Sequence, residues 1–202
     1  KANKTYSLLS EDGTGDLTAT RNTTATYFNS SLILVTAAAN VPRLNYDVIG
    51  GQPYLLLEPQ RTNLSTFSSD ATNASWDKNN VTVIANSVIA PDGTLTADRI
   101  TPTTTDSYIR KTGISFTAGQ TVTYSFYAKY IDSAFTSQIK FFDGNQNTNI
   151  VFNVVNSADW QRITATFTAN NTGSYQFWIG GNNTLSTGER FDFWGAQIEV
   201  GS

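Results

Sequence analysis

The chain has 202 residues, 39% of them hydrophobic and 14% charged, with a net charge of −3; that is large for one domain, small for two, and apolar enough for a real core. The charged fraction is well under the ~25% usual for globular domains, and Thr, Ser and Asn fill the gap; such a surface suits neutral polar matter such as sugars and is a poor one for phosphate backbones, whose affinity rests on Lys and Arg. There is no His and no Cys, which removes the Ser-His-Asp and Cys-His nucleophiles and leaves zinc without its ligands, so an enzyme would have to work with carboxylates, Tyr or Lys.

In chain order, residues 1–62 hold strand-like pieces. "SLILVTAAA" is apolar without clean alternation, and "VIGGQPYLLLE" reads as a hairpin turning at Gly50-Gly51. A segment of this size is not expected to form its own core; it should lie against the rest of the chain or pair with a neighbouring one. "SSDATNASW" offers one capped helical turn before Trp76. "VTVIANSVIA" and "YIRKTGISF" then read as strands around the turn-rich "PDGTLTADR". From Thr121 the period is two. Val122, Tyr124, Phe126, Ala128 and Tyr130 alternate with Thr121, Thr123, Ser125, Tyr127 and Lys129. "QIKFF" and "NIVFNVV" come next, joined by "DGNQNTN"; then come Ile163, Ala165 and Phe167 of "QRITATFTA", and Tyr175, Phe177 and Ile179 of "SYQFWIGG". In "RFDFWGAQIE" Trp194 breaks the alternation, and Gly195 marks a bulge. The expected fold is all-β: a jelly-roll β-sandwich over 63–202, preceded by an N-terminal β-hairpin or extended segment, 1–62, for docking or association. No apolar run approaches the ~18 residues of a membrane span. A start at Lys1 with no Met anywhere leads to the expectation of a processed or cut product.

Two stretches carry a resemblance. In residues 18–64, Arg21, Ala25, Thr26 and Tyr27 are followed by Asn40, Pro42 and Arg43 and by the run Glu58 to Leu64, "EPQRTNL". This resembles a module of tailed-bacteriophage virion proteins, in head-fibre or spike proteins and some tail fibres. In 63–202, "NASWDKNNVTV", "APDGTLTADRI", "VTYSFYAK", "WQRITATFTA" and "FWGAQIEVG" are similar, in that order, to the carbohydrate-binding-module-like jelly rolls that follow it. The resemblance implies a sandwich fold, a virion surface location, homo-oligomers and other virion proteins as partners; it permits host-surface or environmental polysaccharide as a ligand. A stand-alone carbohydrate-binding module of a secreted or surface bacterial protein is the alternative, and a glycan depolymerase a third. In the resembled jelly rolls a structural Ca²⁺ is often held near the first and last strands, where Asp70 and Asp192 stand in this chain; no other cofactor is implied.

Candidate sites follow from residue type and parity. Glu58 and Arg61 are read as a structural joint, with Arg43 as a third member, rather than as a catalytic pair: the four Glu, at 11, 58, 189 and 199, form no recognisable acid–base motif, and the Arg fork ties backbone acceptors well. No catalytic residue and no metal ligand set is assigned, and the protein is not expected to be an enzyme. Tyr127, Lys129, Gln176 and Trp178 lie on the polar parity of their strands and are candidates for glycan contact or for a covered interface. Trp76, Trp160 and Trp194 are expected to pack in the core.

Overall fold

The computed structural model describes residues 4–5, 17–46, 52–57, 61–131, 139–143, 158–181, 185 and 187–201. The chain divides into two compact units, Lys1–Gln60 with Pro91–Gly93, and Arg61–Ala90 with Thr94–Ser202.

The first unit is three short antiparallel pairs: β1 (Lys4–Thr5) with β2 (Leu17–Thr18), β3 (Ala25–Phe28) with β4 (Leu34–Ala37), and β5 (Leu44–Tyr46) with β6 (Pro53–Leu55). The hairpin expected around Gly50-Gly51 is present in its strands, Tyr46 facing Pro53; the turn itself lies outside the described residues. Polar side chains hold this unit. Arg21 donates to the Ala38 and Val41 carbonyls, and Asn40, at φ 61°, accepts from the Arg21 amide at 2.8 Å. Arg43, 8% exposed, donates to the Thr26 carbonyl at 3.0 Å. Among the described residues its one buried hydrophobic side chain is Ala37, while Leu44, Tyr54 and Leu57 are exposed.

The second unit is a jelly-roll β-sandwich. Its strands are β7 (Asp77–Asn79), β8 (Val81–Val88), β9 (Ala97–Pro102), β10 (Tyr108–Phe116), β11 (Thr121–Tyr130), β12 (Ile139–Asp143), β13 (Gln161–Thr168), β14 (Gly173–Gly180) and β15 (Phe191–Val200). One sheet runs β12-β14-β10-β7 and the other β13-β11-β15-β9-β8, every pair antiparallel. Strands β10 and β11 match the expected segments residue for residue; "NIVFNVV" lies outside the described residues. The capped turn before Trp76 is a run of hydrogen-bonded turns, and the described residues contain no helix.

Alternation places the core between the sheets. Tyr124, Phe126, Phe177 and Ile179 are all at most 1% exposed, together with Ile100, Ile109, Phe191 and Phe193. With no Met and no Cys in the chain, ring-on-ring contact fills this layer: Tyr124 lies 5.4 Å from Phe177 and Phe126 5.8 Å from Phe193. Trp76 closes one margin, edge-on to Phe193 at 5.3 Å, its indole N–H donating to the Phe67 carbonyl at 2.9 Å.

Two lysines secure the loop that leads to Trp76. Lys78 Nζ donates to the carbonyls of Ala71, Thr72, Asn73 and Trp76 at 2.8–3.2 Å, satisfying acceptors that no strand pairs. Lys111 sits on the inward parity of β10, 3% exposed, with Nζ 2.6 Å from Ser75 Oγ and 4.5 Å from the Trp76 ring. Burial pushes its ammonium down to about 8, helped by the Lys78 charge and opposed by Asp70. Below pH 8 both folded and unfolded chains carry this proton, and the desolvation cost is felt in full. Between about 8 and the ordinary value of 10.5 the folded state releases the proton first, so stability rises with pH over that window. Urea unfolding of the wild type and Lys111→Met across pH 7–10.5 should show the wild type gaining roughly 1–3 kcal/mol on the variant, at ~1.4 kcal/mol per pKa unit. Parallel pH profiles would remove the buried-charge account.

Candidate functional site on the outer face of the five-stranded sheet

Strand β11 lies between β13 and β15, and its outward residues Ser125, Tyr127 and Lys129 each head a row of partners. Cα register sets Thr164, Ser125 and Gln197 side by side, then Arg162, Tyr127 and Trp194, then Lys129, Asp192 and Arg99. One further row, Thr166, Thr123 and Glu199, completes the face.

The middle row depends on one extra residue. Phe191 and Phe193 of β15 point into the core, as do Ala196 and Ile198, so parity changes between 193 and 196. The register with β11 shifts between Ser125 and Tyr127, and Gly195 takes up the difference at φ +65°. The bulge anticipated from sequence is therefore present, and its effect is to set Trp194 outward. This corrects the expectation of core packing: Trp194 is half-buried outside the core cluster, its ring 5.7 Å from Tyr127 and its N–H donating to Thr96 Oγ1 at 3.1 Å. Trp160 also departs from that expectation, because β13 begins only after it. It is half-buried, 5.2 Å from Lys129 Nζ, with its N–H on the Ile89 carbonyl at 3.0 Å. Trp76 packs in the core as expected.

Polar groups frame the rings. Arg162 is exposed, its guanidinium 5.9 Å from the Tyr127 ring, and Nη2 donates to Ser125 Oγ at 3.1 Å and Gln197 Oε1 at 2.6 Å. Tyr127 is 8% exposed; burial pushes its hydroxyl up against the pull of the Arg162 charge. Asp192 is fully buried and accepts from Arg99 Nε at 2.9 Å and Nη2 at 3.3 Å, with Lys129 Nζ at 3.9 Å. Among the described residues, the carboxylates of this face, Asp192 and Glu199, pair with Lys129 and Thr123, which stand about 20 Å apart along β11 at ~3.3 Å per residue, beyond the ~5–10 Å of a hydrolytic pair.

The four residues singled out for glycan or interface contact fall on two faces. Tyr127 and Lys129 belong to the rows above; Gln176 and Trp178 are on β14, in the other sheet. There Trp178 is half-buried, 4.3 Å from Tyr108 and 4.5 Å from the Arg110 guanidinium, and its N–H donates to Gln176 Oε1 at 3.1 Å. Its ring also lies against Gly181, where an added Cβ would meet it at 3.2 Å. Arg110 in turn bonds Asp77 and Gln176, so this stack is made of mutually engaged side chains. Of the joint, Arg43 bonds within the first unit, Arg61 donates to the Val200 carbonyl within the second, and Glu58 lies outside the described residues. Asp70 accepts from the Thr72 and Asn73 amides, and Asp192 serves Arg99; the described residues contain no group of three or more acidic side chains placed to share a cation.

No family model matches the chain, and no curated protein matches it. Among solved structures, the chain is similar to the enzymatically active domain of tailspike protein 4 of bacteriophage CBA120, with 15% identity and a TM-score of 0.51 over 68% of this chain and 21% of that one. It is also similar to the CBM22-1 xylan-binding domain of Xyn10C from Paenibacillus barcinonensis, with 15% identity and a TM-score of 0.50 over 70% of this chain and 92% of that one. An arabinose-bound α-L-arabinofuranosidase matches at 13% identity and a TM-score of 0.50, over 68% of this chain and 25% of that one. The match thus spans about a fifth of the tailspike chain. At these identities the likeness is one of fold: the second unit is a carbohydrate-binding-module-like jelly roll.

The bulge makes a local forecast. Gly195→Ala places a Cβ at positive φ, which costs about 1–2 kcal/mol, although the nearest atom, Tyr127 Cδ2, stands at an ordinary 3.5 Å. Equilibrium unfolding should show that loss; a variant as stable as the wild type would mean that the backbone conformation at 195 is not strained for other residues.

Proposed function

We propose that this protein is a non-catalytic glycan-binding module, and that the outer face of the five-stranded sheet is where it meets polysaccharide. The observation that carries the reading is the row Arg162–Tyr127–Trp194, two rings set side by side by register and framed by the hydrogen-bonding groups of Ser125, Gln197 and Lys129. Sugar rings present C–H faces to aromatics and hydroxyls to amides and guanidinium, and this row offers both. The xylan-binding domain, similar over 92% of its own length, supports the reading at the level of fold. Affinity should be modest, since an open face orders little ligand surface against the cost of association.

Affinity electrophoresis and calorimetry against a panel of plant, algal and bacterial polysaccharides test it. Trp194→Ala should weaken binding about 10-fold or more, at ~0.5–1.5 kcal/mol for the ring contact plus the lost area, and Trp178→Ala should leave it within about 2-fold. Loss in Trp178→Ala alone would move the site to the four-stranded sheet; no binding to any polymer would end the reading.

A second reading, which places the module on a phage virion surface as a fibre or decoration component, draws on the residue pattern of 18–64 and on the tailspike neighbour. It includes self-association through the first unit, whose exposed Leu44, Tyr54 and Leu57 accompany a single buried hydrophobic side chain among the described residues. Light scattering after gel filtration should then give a stable dimer or trimer, broken by Leu57→Asp. A monomer at all concentrations would leave the glycan-binding module without an assembly role.

A further inference from the structure

The charge on the outer face of the five-stranded sheet is opposite in sign to that of the chain. In the four rows of the face there are three cationic side chains, Arg99, Lys129 and Arg162, and two carboxylates, Asp192 and Glu199, a balance of +1 on a chain whose net charge is −3. The first of these carboxylates is not presented to solvent. Asp192 is fully buried, bound by both arms of Arg99 and approached by Lys129, so it neutralises Arg99 and leaves the rest of the face positive.

Arg162 differs from two other arginines of the same unit. Arg99 is paired with Asp192 and Arg110 with Asp77. Arg162 is exposed, and its hydrogen bonds go to neutral oxygens: Ser125 Oγ and Gln197 Oε1, both from Nη2, and the Tyr127 hydroxyl. Those bonds orient the guanidinium, and among the described residues no carboxylate pairs with it. A carboxylate accepts strong, charge-assisted N–H bonds from a guanidinium. Lys129, one row along on the same face, adds a second positive charge; its Nζ lies 5.2 Å from the Trp160 ring and 3.9 Å from the Asp192 carboxylate that Arg99 also holds.

Resting on the reading of this face as the glycan site, we infer that its ligand is an acidic polysaccharide, one whose sugar rings carry carboxylates, as hexuronic acids do. Trp194, braced by Tyr127, takes the ring face and Arg162 takes the carboxylate of the same or the adjacent sugar. Arg162 is then the residue that determines specificity between acidic and neutral chains.

The test uses the full chain and polymers that differ in the carboxyl group alone: polygalacturonate, alginate, hyaluronan and a glucuronate-bearing xylan, each beside its carboxyl-reduced form, with calorimetry at low and at high salt. The expected result is binding to at least one acidic polymer, weakened about 10-fold or more by carboxyl reduction. Arg162→Gln should weaken binding to the acidic form by a similar factor, leave the reduced form within about 2-fold, and flatten the salt dependence. Circular dichroism and the unfolding midpoint of Arg162→Gln confirm that the sheet is intact; should that variant not fold, Lys129→Gln with the reduced polymers carries the comparison. Equal affinity for acidic and reduced forms, with Trp194→Ala still harmful, overturns the acidic preference and leaves glycan binding standing. Failure of every acidic and every reduced polymer, together with the neutral panel, overturns both.

Discussion

One inserted residue organises both sides of the five-stranded sheet. A strand with strict alternation cannot send Phe193 and Ala196 to the same face, because they differ by an odd number of positions. The bulge at Trp194–Gly195 resolves this by setting one residue out of register. Before it, Phe191 and Phe193 fill the core; after it, Ala196 and Ile198 do. Trp194 is left on the outside, opposite Tyr127. Core continuity and the aromatic row therefore share one cause, and the left-handed backbone at Gly195, open to glycine without steric cost, is what permits the insertion.

That dependence also explains what could be read in advance. Period-two alternation located the strands of the second unit and their inward residues, since a half-buried strand writes its burial directly into its sequence. Val122, Tyr124 and Phe126 are buried for that reason, and so are Tyr175, Phe177 and Ile179. Parity, however, names a face of a strand and not a sheet. Tyr127 and Trp178 share the outward parity of their strands and stand on opposite sheets. Which residues become neighbours is decided by strand order and register, which long-range pairing fixes. Arg162 and Gln197, 35 residues apart in the chain, had no local signal to connect them with Tyr127. For Trp194 a signal existed: a glycine beside a broken alternation marks a bulge, and a bulge re-aims the side chain next to it.

The loop before β7 shows another use of charge that periodicity does not reveal. Between Phe67 and Trp76 the backbone follows turns, and its carbonyls have no strand to accept from. The Lys78 ammonium gathers four of them. Lys111 approaches the same loop from the core side, holding Ser75 and the face of Trp76. Asp98, whose carboxyl burial pushes up, accepts from the Ala71 amide at 2.7 Å and the Asn86 amide at 2.9 Å, and so joins the loop to the irregular end of β8. Three charged side chains thus take the role that a helix or a further strand would have had at this margin, and each is costly to bury unless its bonds are made.

The two outer faces of the sandwich carry similar residue types and differ in how those residues are engaged. Trp178 has Tyr108, Arg110 and Gly181 against its ring and Gln176 on its N–H, and the Arg110 charge is matched by Asp77. A ligand arriving there would have to displace contacts already made. On the five-stranded sheet the Trp194 N–H is tied to Thr96 and the Tyr127 ring is packed, so the platform is rigid, while the guanidinium beside it is oriented by neutral partners and, among the described residues, keeps its charge unmatched. Because the same sandwich serves a tailspike, a xylan-binding domain and a glycosidase, the fold does not choose among roles. On the reading proposed for the five-stranded sheet, the choice falls to a preorganised ring pair beside a cation that no carboxylate pairs with among the described residues, an arrangement suited to a ring that brings its own carboxylate.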